Sequence, residues 1–509
     1  MKKILSLILT AALLLSLAVP AVAEERSGGT LIALLVADPG SFNPDIAQDD
    51  AALFLGENIF SKLVKFDYAG NLMPDLAQSW DVSADGLTYT FHLADTKWHD
   101  GEPCTADDVV WSFDFIKQYG FSADSFADAT VTVVDPLTVQ FTLTKPDAAL
   151  LYNLSYYGAT ILPKHLYDGQ DYLTCDAAIN HPIGTGAFKF VEYTPGVSVT
   201  IEANLDYFGH VPELDTVIES IIPDTSTAIQ AFYAGELDYL ATYVPATELA
   251  GLRASGANVY EEPFASRYYV ATNMREGRIT ANLAVRQAIA YGVDRQAILD
   301  KALAGSGSIA EGFAPAAIAW AYNGEDILPE RDVEKAISIL EEAGYTKDAD
   351  GYYLTLDAPT MPEFVTMTNV FKDSMKDIGI NVVVDSLEVG AWVEKVFAGE
   401  FDLSILSGYH GPDASGMALR VGTNGALNFL GYSNEEVDAD YAAGAAVTDV
   451  EERAKFYKHA QKILSQELPI IPLCEVAITD VAAANVLGTP LTAPNVCTVG
   501  ELNYVHFAK

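Results

Sequence analysis

The stretch FYAGELD at residues 232–238 returns as VFAGEFD at residues 396–402. Each copy predicts the end of a helix, a glycine that caps it and the start of a strand. The strands that follow, residues 237–242 and 401–406, would then be equivalent members of two separate α/β lobes. Chance similarity over so short a stretch is the alternative, and the repeat alone does not decide between the two interpretations.

The repeat also predicts where a ligand would bind. In open α/β sheets, ligands bind beyond the carboxyl ends of the strands. We therefore expect residues 243–245 and residues 408–413 to face a cleft between the lobes. The loop at residues 38–41 follows an apolar strand at residues 30–36 and should face the same cleft.

Strand patterns dominate the chain before residue 150. Residues 86–93 alternate apolar and polar side chains, as a half-buried strand does. Residues 130–143 repeat this pattern around Asp135-Pro136, and residues 188–201 repeat it around Pro195-Gly196. Both segments predict hairpins.

Helix patterns alternate with strand patterns in the second half of the chain. Asp332 can cap a helix whose apolar positions 333, 336, 337 and 340 share one face, and Gly344 can end it. Residues 282–291 predict another helix, which is broken at Gly292 and restarted with Asp294 as N-cap. The alternation predicts the α/β class.

The first residues have the pattern of an export signal. Lys2 and Lys3 precede an apolar run at residues 4–19, and Ala21-Val22-Ala23 resembles a cleavage site. A transmembrane anchor is the alternative, but the run is shorter than the roughly 20 residues that span a bilayer. We expect residues 1–23 to be removed and the protein to be exported, to a periplasm or to the cell surface. No cysteine follows the cleavage site, so no lipid anchor is predicted there.

Length and charge narrow the class of protein. The chain has 509 residues, more than one hydrophobic core usually supports, which predicts at least two lobes. Its formal net charge of −41 would repel nucleic acid and anionic lipid, so neither is an expected partner. Such a charge favours cationic ligands, although a solubilising surface is the simpler explanation.

Four cysteines, Cys104, Cys175, Cys474 and Cys497, are too few for a disulfide-based fold. Their spacing matches no metal motif, and we predict no cofactor. Three pairings are possible if all four are bridged. Cys474 and Cys497 flank two predicted strands, and a bridge between them depends on an approach that the sequence does not show.

No catalytic motif emerges from the sequence. Trp98-His99-Asp100-Gly101 could suggest a histidine and an acid, but Asp100-Gly101 is better interpreted as a turn. The chain contains no G-x-S-x-G elbow, no H-E-x-x-H zinc helix and no phosphate-binding P-loop. We therefore predict that the protein is not an enzyme, with an exported hydrolase as the second hypothesis.

A series of short motifs resembles one known family. In chain order they are MPDLAQSW at 73–80, ADGLTYTF at 84–91, KWHDGEP at 97–103, TADDV at 105–109, GTGAF at 184–188, VRQAIAY at 285–291 and EAGY at 342–345. Each motif alone is weak, but their order and spacing resemble the extracellular solute-binding proteins of the peptide and nickel group, often called family five. The resemblance covers essentially all of the chain after the export signal.

The resemblance implies a two-lobed fold, like that of periplasmic binding proteins, whose cleft closes about a hinge. Lobe I would comprise residues 24–268 and 479–509, with an inserted extra subdomain, and lobe II residues 269–478. The chain would cross between lobes near residues 266–272 and 477–481. The implied function is the substrate-binding component of an ABC importer, a monomer that captures a small solute, most simply a di- or oligopeptide, and delivers it to a membrane permease.

The resemblance also implies an acidic residue that pairs with the ligand ammonium. It lies after the cleft strand of the second lobe, where Asp413 is the only acid. In relatives an aspartate usually precedes a proline, whereas here the order is Pro412-Asp413, so the register can differ. In a cleft, the pair would be a strong charge-assisted hydrogen bond. A solvated turn aspartate is an equal alternative.

Other candidate ligand residues lie near this segment. Arg420 could clamp a ligand carboxylate, or it could form an ordinary salt bridge. Aromatic stacking or amide contacts could come from Tyr409, Asn428, Trp320 and Trp392, although aromatic residues more often fill a core. His410 allows a metal interpretation, which a single histidine supports weakly.

Two broader alternatives stay open. The same fold could bind an oligosaccharide, glutathione, an opine or a nickel complex instead of a peptide. It could also act as a sensory receptor that signals to a membrane protein. The sequence does not separate these functions.

Overall fold

The computed structural model describes residues 26–47, 49–67, 71–241, 244–411, 413–488 and 501–508. The expected export signal, residues 1–23, lies outside this range, as do Tyr243, Pro412 and Cys497. Within the described residues, none of the helices combines the length and the apolar character needed to cross a membrane.

Strands occur throughout the chain. They are β1 (Thr30–Leu35), β2 (Val64–Phe66), β3 (Leu72–Pro74), β4 (Ala77–Val82), β5 (Thr88–Leu93), β6 (Ala129–Asp135), β7 (Thr138–Leu143), β8 (Phe188–Thr194), β9 (Ser198–Ala203), β10 (Thr216–Ile221), β11 (Tyr239–Ala241), β12 (Asn258–Thr272), β13 (Ser308–Ile309), β14 (Leu354–Thr360), β15 (Ile380–Ser386), β16 (Leu403–Tyr409), β17 (Ile470–Ala482), β18 (Val486–Leu487) and β19 (His506–Phe507).

Helices alternate with these strands. They are α1 (Asp50–Ile59), α2 (Ala106–Tyr119), α3 (Ala123–Phe126), α4 (Leu150–Leu154), α5 (Lys164–Tyr167), α6 (Asp176–Ile179), α7 (Thr225–Ala234), α8 (Ala246–Ala254), α9 (Leu283–Gly292), α10 (Arg295–Ala302), α11 (Val333–Glu342), α12 (Val365–Asp377), α13 (Val389–Phe397), α14 (Ala418–Val421), α15 (Glu435–Ala446) and α16 (Val450–Glu467), with short 3₁₀ turns at Ile279–Ala281, Pro362–Phe364 and Ala414–Met417.

The two copies of the sequence repeat adopt the same local structure. α7 ends at Gly235, which has a φ of 74°, and α13 is followed by Gly399, which has a φ of 75°. This left-handed conformation is easy for glycine and strained for other residues. β11 and β16 follow the two glycines, so the predicted sequence of helix, glycine and strand is confirmed in both copies.

Two long antiparallel strands, β12 and β17, form a ribbon that connects the two halves of the molecule. The order in the main sheet is β16-β12-β17-β11-β1-β10-β9-β8. β11 pairs with β17 at residues 480–482, whereas β16 pairs with β12 at residues 266–272. The register between β12 and β17 shifts between Pro263 and Arg267. The strands of the repeat therefore flank opposite ends of one ribbon.

The hydrophobic core divides in the same way. One cluster draws all of its buried residues from the chain between Ala265 and Cys474, and it packs around β12, β14, β15, β16 and α9. Two other clusters contain buried residues of β1. One packs around β1 and β10 and extends to Val505, and the other packs around β1, α7 and β11 and includes Val481 of β17. A fourth cluster lies between Leu63 and Ile161, where α2 packs on the sheet β4-β5-β7-β6. The last is a separate subdomain core.

Several local predictions are confirmed. β6 and β7 form one predicted hairpin, and β8 and β9 form the other. The side chains of Asn282, Asp294 and Asp332 cap α9, α10 and α11 by accepting backbone N–H bonds. The sequence therefore specifies these short-range elements through capping and turn chemistry.

Candidate functional site

The segment after β16 folds back against β12. The backbone N–H of His410 donates to the Ala265 carbonyl over 2.9 Å. Asp413 then starts a 3₁₀ turn, and its Oδ1 accepts the Ser415 N–H over 3.0 Å. A Cβ atom on Gly416 would lie only 1.7 Å from the His410 carbonyl oxygen, so this tight turn requires glycine there. This backbone conformation directs the Asp413 side chain into the protein, and the residue is only 2% exposed.

Asp413 forms a buried ion pair with Arg453 of α16. The Arg453 Nη2 donates to Asp413 Oδ1 over 2.7 Å, and its Nε donates to the Gly444 carbonyl over 2.9 Å. The other carboxylate oxygen of Asp413, Oδ2, is buried and has no hydrogen-bond partner among the described residues. A buried carboxylate oxygen without a donor is costly, so Asp413 can still accept a bond from a ligand.

Three aromatic rings surround the Arg453 guanidinium. Its Cζ lies 4.9 Å from the ring centroid of Trp320, 5.5 Å from that of Tyr457 and 5.6 Å from that of Tyr152. At these distances a guanidinium is attracted to the ring faces. The Trp320 Nε1 is buried and has no acceptor among the described residues. Tyr152 belongs to α4 in the subdomain, so the cage joins the two halves of the molecule.

The loop before α4 makes further contacts across the molecule. The Ala148 N–H donates to the Ala445 carbonyl over 2.8 Å, between the subdomain and the end of α15. Asp147 is held in this loop because its Oδ1 accepts the Ala149 N–H and its carbonyl accepts the Tyr89 hydroxyl. Burial raises the pKa of Tyr457 to about 12, with smaller contributions from Asp413 and Asp147. The Asp147 carboxyl thus acts on the same group of side chains as Asp413.

A second buried polar cluster lies beside the first. His410 is 1% exposed, and neither of its ring nitrogens has a hydrogen-bond partner among the described residues. Desolvation, with Arg267 and Arg420 nearby, lowers the pKa of His410 well below its usual value. The imidazole is therefore neutral at pH 7 and offers one donor and one acceptor.

Arg267 and Glu475 form the charged part of this second cluster. The Arg267 Nη2 lies 3.1 Å from Glu475 Oε1, and the Arg267 Nη1 donates to the carbonyls of Gly312 and Phe313. Arg267 Nε and Glu475 Oε2 are buried without partners in the described part of the chain. This pair lies on the ribbon, because Arg267 belongs to β12 and Glu475 to β17.

Arg420 approaches the same region from α14. It is buried, and no carboxylate among the described residues forms an ion pair with it. Its guanidinium lies against Gly408, where an added Cβ would be 2.6 Å from Arg420 Nη2. Burial raises the pKa of Tyr269, and the nearby Arg420 opposes this shift. Arg420 is therefore a buried cation near the end of β16.

The three remaining candidate ligand residues, Asn428, Trp392 and Tyr409, lie in different surroundings. Asn428 uses its amide within its own loop, donating to the carbonyls of Gly422 and Tyr432. Trp392 lies in the hydrophobic cluster between Ala265 and Cys474, where its Nε1 donates to Ser404 Oγ over 3.1 Å. Tyr409 ends β16, and its side chain lies outside the described residues. The structure thus brings together Asp413, Trp320, His410 and Arg420, but it separates Asn428 and Trp392 from them.

The His99 motif is structural. The His99 Nδ1 accepts the Gly184 N–H, and its Nε2 lies 3.1 Å from the Gly186 carbonyl. Burial lowers the pKa of His99 to about 4, so the ring is neutral and its Nε2–H donates. Asp100 instead pairs with His165 over 2.7 Å. The motif joins the subdomain to the GTGAF segment, and the interpretation as a turn is confirmed because Gly101 has a φ of 96°.

The described part of the chain was compared with the requirements of a metal site and of a disulfide. No three histidine, cysteine or acidic side chains are grouped there as ligands for a metal ion. Cys104, Cys175 and Cys474 are free thiols, and the possible partner Cys497 lies outside the described residues.

Six residues of these clusters were not predicted from the sequence: Arg453, Asp147, Tyr152, Tyr457, Arg267 and Glu475. One signal was available for Arg453. It shares a helix face with the buried residues Tyr457, Ala460 and Leu464 at α-helical spacing, and an arginine in an apolar stripe requires a buried partner.

The fold and these clusters define a two-lobed binding protein with a polar site where its lobes meet. The family model of the bacterial extracellular solute-binding proteins, family 5, matches residues 71–426. The chain therefore belongs to that family.

Curated relatives align over most of the chain. A dipeptide-binding protein from Escherichia coli is 27% identical over 508 residues, covering 93% of this chain and 94% of the relative. A heme-binding protein A from Haemophilus influenzae is 29% identical over 487 residues, covering 89% of this chain and 88% of the relative. These two relatives are named for different ligands, a dipeptide and heme.

Solved structures share the fold. An ABC transporter substrate-binding protein from Listeria monocytogenes superimposes with a TM-score of 0.83 at 25% identity, covering 95% of this chain and all of the other. A periplasmic binding protein from Helicobacter pylori, in complex with the peptide STSA, gives a TM-score of 0.74 at 25% identity, covering 95% of this chain and 99% of the other. The predicted two-lobed α/β fold is confirmed.

Proposed function

We propose that the protein is the receptor of an ABC importer and captures short peptides between its two lobes for delivery to a membrane permease. The observation that carries this proposal is the set of buried polar atoms without partners around residues 410–413. Asp413 Oδ2 can accept from an ammonium, and His410 offers a donor and an acceptor. A peptide backbone presents the complementary groups. The dipeptide-binding relative and the peptide-bound neighbour support the same ligand class.

Incompletely paired charged groups at the site fit a zwitterionic ligand. Asp413 is paired with Arg453 through Oδ1, but its Oδ2 has no donor among the described residues, and no carboxylate among them forms an ion pair with Arg420. A peptide oriented with its ammonium toward Asp413 would place later carbonyls or its carboxylate toward the guanidinium groups. All seven candidate residues are predictions in this proposal, and position favours Asp413, Trp320, His410 and Arg420.

The test is thermal unfolding against a panel of ligands. Alanine peptides of two to five residues are compared with heme, a nickel–histidine complex and an oligosaccharide. A ligand at 100 times its Kd stabilises the fold by about 2.7 kcal/mol, which raises the melting temperature measurably. Stabilisation by peptides supports the proposal. Stabilisation by another class alone rejects peptide capture.

The proposal includes export and the absence of catalysis. Export rests on the expected signal at residues 1–23, with no lipid anchor, and is tested by the mass and location of the mature chain.

No catalytic role is proposed, and an absence of turnover of chromogenic peptides would agree with this. We further propose that the hinge lies in the β12–β17 ribbon and that the boundaries between the two lobes fall near residues 268 and 478.

A further inference from the structure

A crevice lies between the two halves of the molecule, on the opposite face of the ribbon from the polar clusters. It has a volume of about 310 Å³, at the lower end of the range of small-molecule pockets, about 300–1,000 Å³. One wall is the start of α8 at residues 245–247, and the other is formed by residues 302–304 and Ser306. The floor is the ribbon itself, through Tyr268 of β12 and residues 476–477 of β17. We call this space the rear crevice.

The two walls of the rear crevice belong to different hydrophobic cores. Leu249 anchors α8 in the cluster that contains part of β11, whereas Ile298 anchors α10 in the cluster that contains β16. We refer to these two parts as the β11 half and the β16 half. The subdomain is joined to the β11 half, because Phe208 packs both against the subdomain core and against the cluster around β1 and β10. A change in the angle between the halves therefore changes the width of the rear crevice.

The strand register places the rear crevice and the polar clusters on opposite faces of the ribbon. Arg267 pairs directly with Gly408 of β16, so both residues project to one face, and His410 follows two residues later on that face. Tyr268 is the next residue of β12 and therefore projects to the other face, where it lines the rear crevice. The ribbon thus separates a front surface, which carries the polar clusters, from the rear crevice.

The front surfaces of the two halves are in contact in this structure. The Ala148 N–H of the subdomain donates to the Ala445 carbonyl over 2.8 Å, and the Arg453 Cζ lies 5.6 Å from the centroid of the Tyr152 ring. The ladder between β12 and β17 is irregular close to the rear crevice, which favours bending of the ribbon there. Because the ribbon lies between the front surfaces and the crevice, separating the front surfaces brings the rear walls together.

The loop at residues 303–307 forms a stiff rear wall. Backbone hydrogen bonds of 2.9 and 3.0 Å close it onto the end of α10. A Cβ atom on Gly307 would lie only 2.2 Å from the Glu475 carbonyl oxygen, so the loop packs directly on β17. Bulk added between the two walls therefore moves the halves apart at the rear before it deforms this loop.

We propose that the rear crevice sets the balance between the open and closed arrangements of the two halves, so that residues distant from the ligand control its affinity. Thr247 and Ser306 are the controlling positions, one from each wall. A large side chain at either position fills the crevice and opposes opening of the front. Only the closed arrangement contacts a ligand from both sides, so a larger closed fraction tightens binding. This inference goes beyond the proposed function and does not depend on the class of ligand.

The test measures Thr247→Trp and Ser306→Trp by small-angle X-ray scattering without ligand and by calorimetry with tri-alanine. The control is Ala254→Trp, at the exposed far end of α8, about 10 Å along the helix from Thr247. Urea unfolding of each variant checks that it is folded.

We expect Thr247→Trp and Ser306→Trp each to lower the radius of gyration of the ligand-free protein and to tighten tri-alanine binding at least about fivefold. Ala254→Trp should change neither quantity. The double variant should gain less than the product of the two single effects, because both indoles occupy the same space. An unchanged or larger radius of gyration in both single variants would overturn the inference, as would more compact variants with unchanged tri-alanine affinity.

The scattering measurement separates this inference from peptide capture. If both variants are more compact than wild type but tri-alanine binds to none of the three proteins, control of closure by the rear crevice stands and peptide capture fails. If tri-alanine binds to wild type and to both variants with equal affinity, and the radii of gyration match that of Ala254→Trp, peptide capture stands and the rear crevice has no such control.

Discussion

Replacing Arg453 by methionine tests the most buried ion pair of the site. Arg453 and Asp413 are almost fully enclosed, with side-chain exposures of 1% and 3%. Methionine keeps much of the volume but removes the 2.7 Å bond to Asp413 and the bond to Gly444. Breaking a buried pair leaves an uncompensated charge, which costs about 3–5 kcal/mol.

The assay is urea unfolding followed by tryptophan fluorescence. The midpoint should fall for Arg453→Met while the slope stays constant. The double variant with Asp413→Asn should lose less than the sum of the two single variants, because the second change removes the stranded charge. Arg331→Met is the control, since Arg331 forms an exposed pair with Asp377 and should cost less than about 1 kcal/mol.

Two outcomes would refute this reasoning. A loss for Arg453→Met as small as that for Arg331→Met would show that the buried pair contributes little. Additive losses in the double variant would show that Arg453 and Asp413 act independently. The structure predicts neither.

The remaining predictions concern binding, acid–base behaviour and packing. Asp413→Asn should weaken peptide binding by about 2–5 kcal/mol, measured by calorimetry, and an unchanged affinity would remove Asp413 from the site. Burial raises the pKa of Asp45 to about 7, so the folded state holds a proton that the unfolded chain releases. The free energy of unfolding should therefore fall as pH rises from about 4 to about 7, and Asp45→Asn should remove this slope in urea titrations. His99 should make stability depend on pH in the opposite direction. Because burial lowers its pKa to about 4 in the folded state, the free energy of unfolding should fall as pH drops from about 6.5 to about 4. His99→Asn should lack this pH dependence, and a variant that retained it would contradict the prediction. Glu219 is fully buried, and neither of its carboxylate oxygens has a hydrogen-bond partner among the described residues. Glu219→Met should therefore raise the free energy of unfolding at pH 8 by about 1–3 kcal/mol, whereas a loss would reveal a partner in the rest of the chain.

Local structure was the most predictable part of the molecule. The capping residues Asn282, Asp294 and Asp332 and the glycines after α7 and α13 act within a few residues along the chain, so their patterns are visible in sequence. The order of the family motifs then predicted the two-lobed fold. Asp413 was predicted as a ligand residue from the family resemblance alone, and the structure adds that its side chain is buried.

Long-range pairing was not predictable in the same way. Arg453 lies 40 residues after Asp413 on a separate helix, and Asp147 is farther away in the subdomain. No periodic pattern connects such residues, because their proximity depends on how the lobes pack. The repeat predicted two α/β lobes but not that the long strands β12 and β17 join them into one main sheet, because strand length is poorly determined by sequence.

The place of β17 in the main sheet affects how the chain can fold during synthesis. β17 lies between β12 and β11, yet it is the last strand of the main sheet in chain order. Until it emerges from the ribosome, β11 and β12 each lack a neighbour, and the sheet has a gap at its centre. Such non-local pairing is slow, and it leaves unpaired strand edges exposed meanwhile. A nascent chain of this design therefore cannot complete its main sheet before residues 470–482 have been synthesised, however early its other strands are made.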